Sequence, residues 1–336
     1  MPTVMVTATC QNSCPWCFAR SRMEEYRSQG IEEMSWQDFL TVVEFYEMSN
    51  VSWMALLGGE PTTHSRFIDM LTYLTARGFS TSVVTNAIIP ASLADAIAQA
   101  RFPNVKFAVN STSYFDHGLD TRHTIDYFLR TMPGSIGLSY TITQRDVLQK
   151  NMGPILDRLF LITRFGLSPH LEFQIAVPSH ENSDFVPFDQ YGAVVELLQR
   201  WTHVLQTNGV SVGLDCHCLP PCCVPPGAQL PFAIRSSCRD FVVDIGPNLD
   251  VWPCFPWSAE TVRLEQFQTL AETQAFFLQR AATEPFLYEG DCAGCPERLS
   301  KACDGGCRGF QIARRRLRMN RGDHPSPPLP GAEGRL

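Results

Sequence analysis

Two hydrophobic periods alternate through the first two thirds of the chain. Strand-like apolar runs occupy Thr3–Thr9, Val51–Leu57, Phe79–Asn86, Val105–Asn110, Gly137–Thr143 and His170–Val177. Between them, apolar residues recur at helical spacing over Ser35–Met48, Ser65–Ala76, Ala91–Arg101, Thr121–Thr131 and Pro154–Phe165. Ser35 suits a helix N-cap, and Gly78 and Gly166 stand where helices end. Strands that each hand over to a helix predict βαβ units, a parallel sheet and right-handed crossovers. The expected class is α/β, a partial (β/α)6 TIM-like barrel two units short of the full eight. A longer amphipathic stretch, Phe188–Gln206, closes this region, and a further strand-like run, Val210–Leu214, follows.

From Asp215 onward the periodicity fades, prolines accumulate, and ten of the 13 cysteines appear. Such a segment needs something besides a hydrophobic core to order it, and metal is the natural candidate. The expected organisation is a barrel over residues 1–209, an irregular cysteine-rich cluster-binding domain over 210–322, and a disordered Pro/Gly-rich tail over 323–336. Composition narrows the partners. With 34 acidic against 27 basic residues the net charge is −7, which argues against nucleic acid. The basic run Arg314–Arg321 reads as a solvated helix face. No secretory leader and no apolar run of about 18 residues is present, so the expected location is the cytoplasm, with no membrane partner. In that reducing compartment, an odd number of closely grouped cysteines points to metal rather than disulfides.

The first group is Cys10, Cys14 and Cys17, a C-x3-C-x2-C just after the first strand. Three adjacent thiolates can hold three corners of a cubane cluster and leave one iron open; a zinc loop is the alternative. Zinc would want a fourth ligand, and no other Cys or His lies between Thr3 and Asn50. With Trp16 in the aromatic slot, the triplet resembles the signature of the radical S-adenosylmethionine (SAM) superfamily. Gly58-Gly59-Glu60-Pro61 after the second strand resembles that family's GGEP motif, and Thr85-Asn86-Ala87 resembles its Thr-Asn-Gly. The resemblance implies a 4Fe-4S cluster on Cys10, Cys14 and Cys17, with SAM chelating the open iron. It implies SAM contacts from Trp16, Gly58, Gly59, Glu60, Pro61 and Asn86, and from Asn110, Ser111 and Arg145 at the ends of later strands. All of these lie at carboxyl ends of strands, where α/β folds bind ligands.

The second group is Cys292, Cys295, Cys303 and Cys307, preceded by Cys238 and Cys254. It resembles the SPASM extension of the same superfamily, which holds auxiliary iron–sulfur clusters; structural zinc is the alternative. Leu249 stands where that pattern has glycine, and the Cys295–Cys303 spacer is two residues longer than usual. By resemblance, one auxiliary cluster takes Cys238, Cys254, Cys307 and one upstream cysteine, with Cys222 chosen among Cys216, Cys218, Cys222 and Cys223. A second would use Cys292, Cys295 and Cys303. The family's last cysteine is missing near Gly331, which leaves an upstream cysteine, His324, Asp323 or an open iron as the fourth position, or no second cluster.

The implied activity is reductive SAM cleavage to a 5′-deoxyadenosyl radical that takes hydrogen from a substrate. The expected substrate is a ribosomally made peptide undergoing crosslinking, oxidation or epimerisation. The alternatives are a small molecule such as an aminoglycoside-type sugar, or a non-catalytic iron–sulfur or zinc protein. The expected partners include a one-electron donor such as flavodoxin or ferredoxin. Because the first strand begins near residue 3, the leader of a precursor peptide is expected to bind either the catalytic domain or a separate leader-peptide-recognition protein. Phe255 follows Cys254 where sulfatase-maturing relatives carry Asp, which argues against that oxidation. Asp215 and Asp250 are candidate bases or proton relays. His64, His117, His123 and His170 show neither metal spacing nor a nucleophile partner.

Overall fold

The computed structural model describes residues 2–179, 182–216, 219–233, 242–283, 294–300, 302–303 and 306–310. The chain begins β1 (Thr3–Thr7), α1 (Arg20–Ser28), α2 (Trp36–Met48), β2 (Trp53–Gly58), α3 (Phe67–Ala76), β3 (Ser80–Thr85), α4 (Ala91–Ala100) and β4 (Val105–Asn110). It continues α5 (Thr112–Asp116), α6 (Leu119–Thr131), β5 (Ile136–Ile142), α7 (Gln144–Gln149), α8 (Gly153–Phe165), β6 (His170–Ile175), α9 (Tyr191–Thr207) and β7 (Ser211–Leu214). Three short strands, β8 (Asp244–Ile245), β9 (Asp250–Trp252) and β10 (Val262–Arg263), precede α10 (Leu270–Thr283).

The strands form one open ten-stranded sheet in the order β10-β9-β8-β1-β2-β3-β4-β5-β6-β7. From β8 through β7 all neighbours are parallel, and β9 and β10 add antiparallel at one edge. A strand order that follows the chain from β1 to β7, with right-handed crossovers, puts the connecting helices on one face. Side chains alternate accordingly. Val4, Val6, Leu56, Val83, Phe107, Leu138, Leu171 and Phe173 join the main core against the helices. On the opposite, concave face Met5, Leu57 and Val84 form a smaller cluster with Ala8, Ala19, Met23, Tyr26, Trp252 and Phe255. This is the expected partial TIM-like barrel, open along one side.

Helix starts follow ordinary chemistry. Ser35 caps α2 by accepting from the Asp38 N–H at 3.1 Å, and Thr143 and Asp146 form a capping box on α7. Gly166 ends α8 in the left-handed conformation, φ 62°.

Two features depart from the sequence expectation. Helix α1 directly follows the first cysteine group, but its nine residues bury only Arg22, Met23 and Tyr26, too little for a periodic apolar signal. The segment after Asp215 is more regular than expected, because β8, β9 and β10 continue the barrel sheet past residue 210 and α10 spans 14 residues. The β8–β9 turn places Leu249 at φ 65°, a conformation that favours glycine and accounts for the glycine usual at that position. The basic run Arg314–Arg321 and the tail lie outside the described residues. Among the described residues, no helix is long and apolar enough to cross a membrane.

Trp201 of α9 is the largest anchor of the helix layer. It is fully buried, stacks on Phe173 at 6.0 Å, meets Tyr140 edge-on at 5.8 Å, and donates its indole N–H to the Asn151 carbonyl at 3.1 Å. Trp201→Ala is expected to cost about 3–5 kcal/mol of unfolding free energy, measured by urea denaturation.

Candidate active site

The first cysteine loop leaves β1 and is held against the end of β2 at very short range. The Gly59 N–H donates to the Thr7 carbonyl and the Glu60 N–H to the Thr9 carbonyl, both at 2.8 Å. A Cβ on Gly58 would lie 2.4 Å from the Thr7 carbonyl oxygen. One on Gly59 would lie 2.1 Å from the Thr9 oxygen and 2.9 Å from the Cys10 Cβ. The two glycines therefore let the end of β2 press on the backbone that leads from β1 to Cys10. Glu60 then turns inward, 1% exposed. Its Oε1 accepts from the Thr62 hydroxyl at 2.8 Å, the Thr85 hydroxyl at 2.7 Å and the Thr62 N–H at 3.3 Å, and its Oε2 accepts from the Asn86 N–H at 2.7 Å. Burial pushes this carboxyl up, and the four donors pull against that. Pro61, also buried, opens the short helical turn that follows.

The loop is clamped from its other side as well. Arg20 donates to the carbonyls of Ser13 at 3.1 Å and Cys14 at 2.7 Å. Asn182, in the segment after β6, donates to the Val177 carbonyl at 2.8 Å and the Trp16 carbonyl at 3.4 Å, while the Ser183 N–H donates to the Pro15 carbonyl at 3.0 Å. Helix α1 is tied to β9 through Arg22, which is buried between the Tyr26 and Trp252 rings at 5.0 and 4.7 Å and faces Asp250 at 3.8 Å. Asp250 also pairs with Arg263 at 3.3 Å, which makes it a structural carboxylate of this hairpin.

Cys10, Cys14 and Cys17 are partly buried, and Cys10 and Cys17 pack against the concave-face apolar cluster. The Asn12 N–H donates to the Cys10 sulfur at 3.4 Å, with the Asn86 amide at 4.0 Å. Burial raises all three thiols. Cys14 is pushed up to about 12, first by burial and then by Cys17 and Cys10. Thiols this close repel one another as thiolates, so a multivalent cation is what would let them ionise together. Among the described residues, no three His, Cys, Asp or Glu side chains already converge to ion-binding distance. The donor set fits a cluster: three thiols on one loop, N–H groups aimed at sulfur, and an apolar floor.

The remaining expected contacts separate. Trp16 is half-buried, and Asn86 sits beside Cys10. Asn110 ends β4 with its side-chain oxygen accepting from the Thr112 N–H at 3.2 Å. Ser111 is buried, donates to the Ser139 carbonyl at 2.6 Å and accepts from Arg158 at 3.0 Å. Arg145 is exposed on α7. The buried cation of this region is Arg158 of α8, 3% exposed, over Tyr140 at 4.2 Å and Phe115 at 4.8 Å. Sequence reasoning passed over Arg158 because an arginine on an amphipathic helix ordinarily faces water. His64 is structural: Nδ1 accepts from the Arg66 N–H and Nε2 donates to the Met34 carbonyl, each at 3.0 Å. His117 is half-buried and His123 exposed. His170 is hydrogen-bonded to the Ser211 hydroxyl at 2.9 Å and the Glu172 carboxylate at 3.0 Å.

Of the later cysteines, Cys218, Cys238 and Cys292 lie outside the described residues. The other segments approach one another. A Cβ on Gly309 would lie 2.8 Å from the Cβ of Pro256, two residues past Cys254, and 3.5 Å from the Cys307 sulfur. One on Gly306 would lie 2.7 Å from Pro220, which precedes Cys222 and Cys223. The Cys222 and Cys223 sulfurs are 3.9 Å apart. Cys303 is buried, Cys295 is half-buried and Cys216 is exposed. Phe255 is buried against Phe18 at 4.9 Å and Trp252 at 5.4 Å.

An open parallel barrel with three clustered thiols after β1 defines a class, and comparison with known proteins agrees. Residues 4–133 match the Radical SAM superfamily. Solved structures with the same fold include Streptococcus suis SuiB bound to S-adenosylmethionine, at TM-score 0.65 and 15% identity over 93% of this chain and 73% of that one. SuiB bound to precursor peptide SuiA gives TM-score 0.64 and 15% identity over 93% and 72%. AnSMEcpe with bound AdoMet and Kp18Cys peptide gives 0.58 and 15% over 92% and 90%. No curated protein matches the chain in sequence.

Glu60→Gln turns an amide donor toward groups that themselves donate. It is expected to cost about 1–3 kcal/mol and to lower iron content after reconstitution, read by denaturation and iron assay. Gly59→Ala, which drives a Cβ into the Thr9 carbonyl, is expected to lose iron binding more completely.

Proposed function

We propose that this chain is a radical SAM enzyme that modifies a peptide, with a 4Fe-4S cluster on Cys10, Cys14 and Cys17 and an auxiliary cluster in a SPASM-like C-terminal region. The observation that carries the reading is the first thiol loop, pressed by Gly58 and Gly59 against the end of β2 and opening on the concave face of the barrel. When bound, the cluster with its SAM supplies one electron that cleaves SAM to methionine and a 5′-deoxyadenosyl radical, which takes a hydrogen atom from the substrate.

The chain's own residues hold and shield this chemistry. Cys10, Cys14 and Cys17 would hold the cluster, and the Asn12 N–H, which donates to the Cys10 sulfur, would stabilise charge there. The Gly58–Glu60 backbone, Asn86 and Asn110 offer polar groups at the strand ends, where the SAM methionine and ribose would lie. Glu60 acts here through its neighbours, because its carboxylate already binds Thr62, Thr85 and Asn86. Arg158 adds buried positive charge beside Ser111, a better placed cation than Arg145. Met5, Leu57, Trp252 and Phe255 keep the thiol loop dry.

The convergence of the Pro220–Cys223, Cys254–Pro256 and Gly306–Gly309 segments supports one auxiliary cluster on Cys254, Cys307, Cys238 and an upstream cysteine, Cys222 or its neighbour Cys223. Cys292, Cys295 and Cys303 would serve a second. Peptide as substrate is supported by the similar structures that hold SuiA and Kp18Cys peptide. The electron would come from a donor of the flavodoxin or ferredoxin kind.

Reconstituted, reduced protein is expected to convert SAM to 5′-deoxyadenosine, and Cys14→Ala with Cys17→Ala to abolish this, read by chromatography. Product from the double variant overturns the site assignment. Iron content of about 12 per chain indicates three cubanes and about eight indicates one auxiliary cluster. Cys254→Ala with Cys307→Ala is expected to remove about four.

A further inference from the structure

The concave face of the sheet has two unlike halves. On β1, β2 and β3 the inward residues Met5, Leu57 and Val84 are apolar and belong to the cluster under the thiol loop. On β5 and β6 they are polar. Leu171 and Phe173 point to the helices, where Phe173 stacks on Trp201, so alternation turns His170, Glu172 and Gln174 to the concave side. Register sets their neighbours: Glu172 is level with Ser139 of β5 and Gly213 of β7, and Ser139 is level with Asn110. Glu172 therefore lies two strand spacings, about 10 Å, from the Asn110 position.

This wall is built around one carboxylate. His170 donates from Nε2 to Oε2 of Glu172 at 3.0 Å and is itself held by Ser211 at 2.9 Å. A Cβ on Gly213 would lie 2.1 Å from that same Oε2, so only glycine leaves room for the carboxylate to lie across β7. Beside it, the Gln174 side-chain oxygen accepts from the Thr141 hydroxyl at 3.1 Å, which turns its amide nitrogen the other way. Among the described residues, Oε1 of Glu172 has no hydrogen-bond partner, and the His170 ring is the one basic side chain within 4.0 Å of this carboxylate. A carboxylate fixed on the open face of a barrel, backed by histidine and with one oxygen free, is matched by a cation from outside the chain.

We propose that this wall binds the substrate and that Glu172 takes an ammonium or guanidinium group carried by it. The proposal rests on the radical SAM reading only in taking the concave face as the substrate side. In a peptide the cation is a lysine or arginine near the modified residue; in an amino sugar it is the ring ammonium.

The test is isothermal titration of reconstituted, SAM-bound protein with Ala-Ala-Lys-Ala-Ala, with its norleucine analogue and with glucosamine. The lysine peptide is expected to bind at least 10-fold more tightly than the norleucine peptide. Glu172→Gln is expected to abolish that preference and Glu172→Asp to restore part of it. Gly213→Ala, which displaces the carboxylate, should behave like Glu172→Gln. Substrate-independent formation of 5′-deoxyadenosine and the melting temperature should stay within twofold and a few degrees of the parent. Equal or absent binding of the two peptides and of glucosamine overturns the proposal, as does a lysine preference that survives Glu172→Gln. Binding of glucosamine alone, lost in Glu172→Gln, supports the cation site and overturns peptide as substrate. Failure of the parent protein to form 5′-deoxyadenosine overturns the radical reading separately.

Discussion

The open end of this barrel is organised by the approach of β2 to β1, where two backbones pack so closely that no side chain fits at Gly58 or Gly59. That approach fixes where Cys10 leaves the sheet. The buried Glu60 carboxylate continues it sideways, binding Thr62 on its own turn and Thr85 and Asn86 at the end of β3. A buried carboxylate without these donors would be strongly unfavourable, so the turn, the strand end and the charge depend on one another. The thiol loop inherits its position from this arrangement, and Arg20 and Asn182 finish the clamp.

From that fixed point the concave face divides by chemistry. Its β1–β3 side, roofed by Trp252 and Phe255, is apolar and touches Cys10 and Cys17. Its β5–β7 side carries Glu172, Gln174 and His170. A reactive carbon-centred radical needs dry surroundings, and a polar substrate needs partners. One open sheet offers both within a few strand spacings. Arg22, held between Tyr26 and Trp252, couples the thiol loop's helix to the hairpin that leads into Cys254. Among the described residues, the first cysteine loop and the hairpin before Cys254 therefore share one packed apolar cluster.

Much of this was legible in the sequence because it is local. The spacing of Cys10, Cys14 and Cys17, the Gly58–Pro61 motif and the strand-end asparagines are adjacent residues whose chemistry can be read directly. The glycine slot held by Leu249 was legible as a departure from the pattern, and the structure shows that residue in the left-handed conformation. What escaped was long-range or against expectation. His170 and Ser211 are 41 residues apart and meet only because β6 and β7 pair in that register. Arg158 is buried on a helix whose pattern implied an exposed arginine. Helix α1 buries a charged Arg22 through ring faces, which no apolar period reveals. Strands of two or three residues such as β8 and β9 carry too little pattern to be recognised before the sheet they extend is known.

The central claim is that the loop from Cys10 to Cys17 holds a cluster with one iron left for SAM. Electron–nuclear double resonance on the reduced protein with SAM labelled with nitrogen-15 at its amino group tests this directly. The account predicts a hyperfine coupling from the labelled nitrogen to the cluster signal, retained when Cys254 and Cys307 are replaced by Ala. A cluster signal that shows no coupling to the bound, labelled SAM would contradict it.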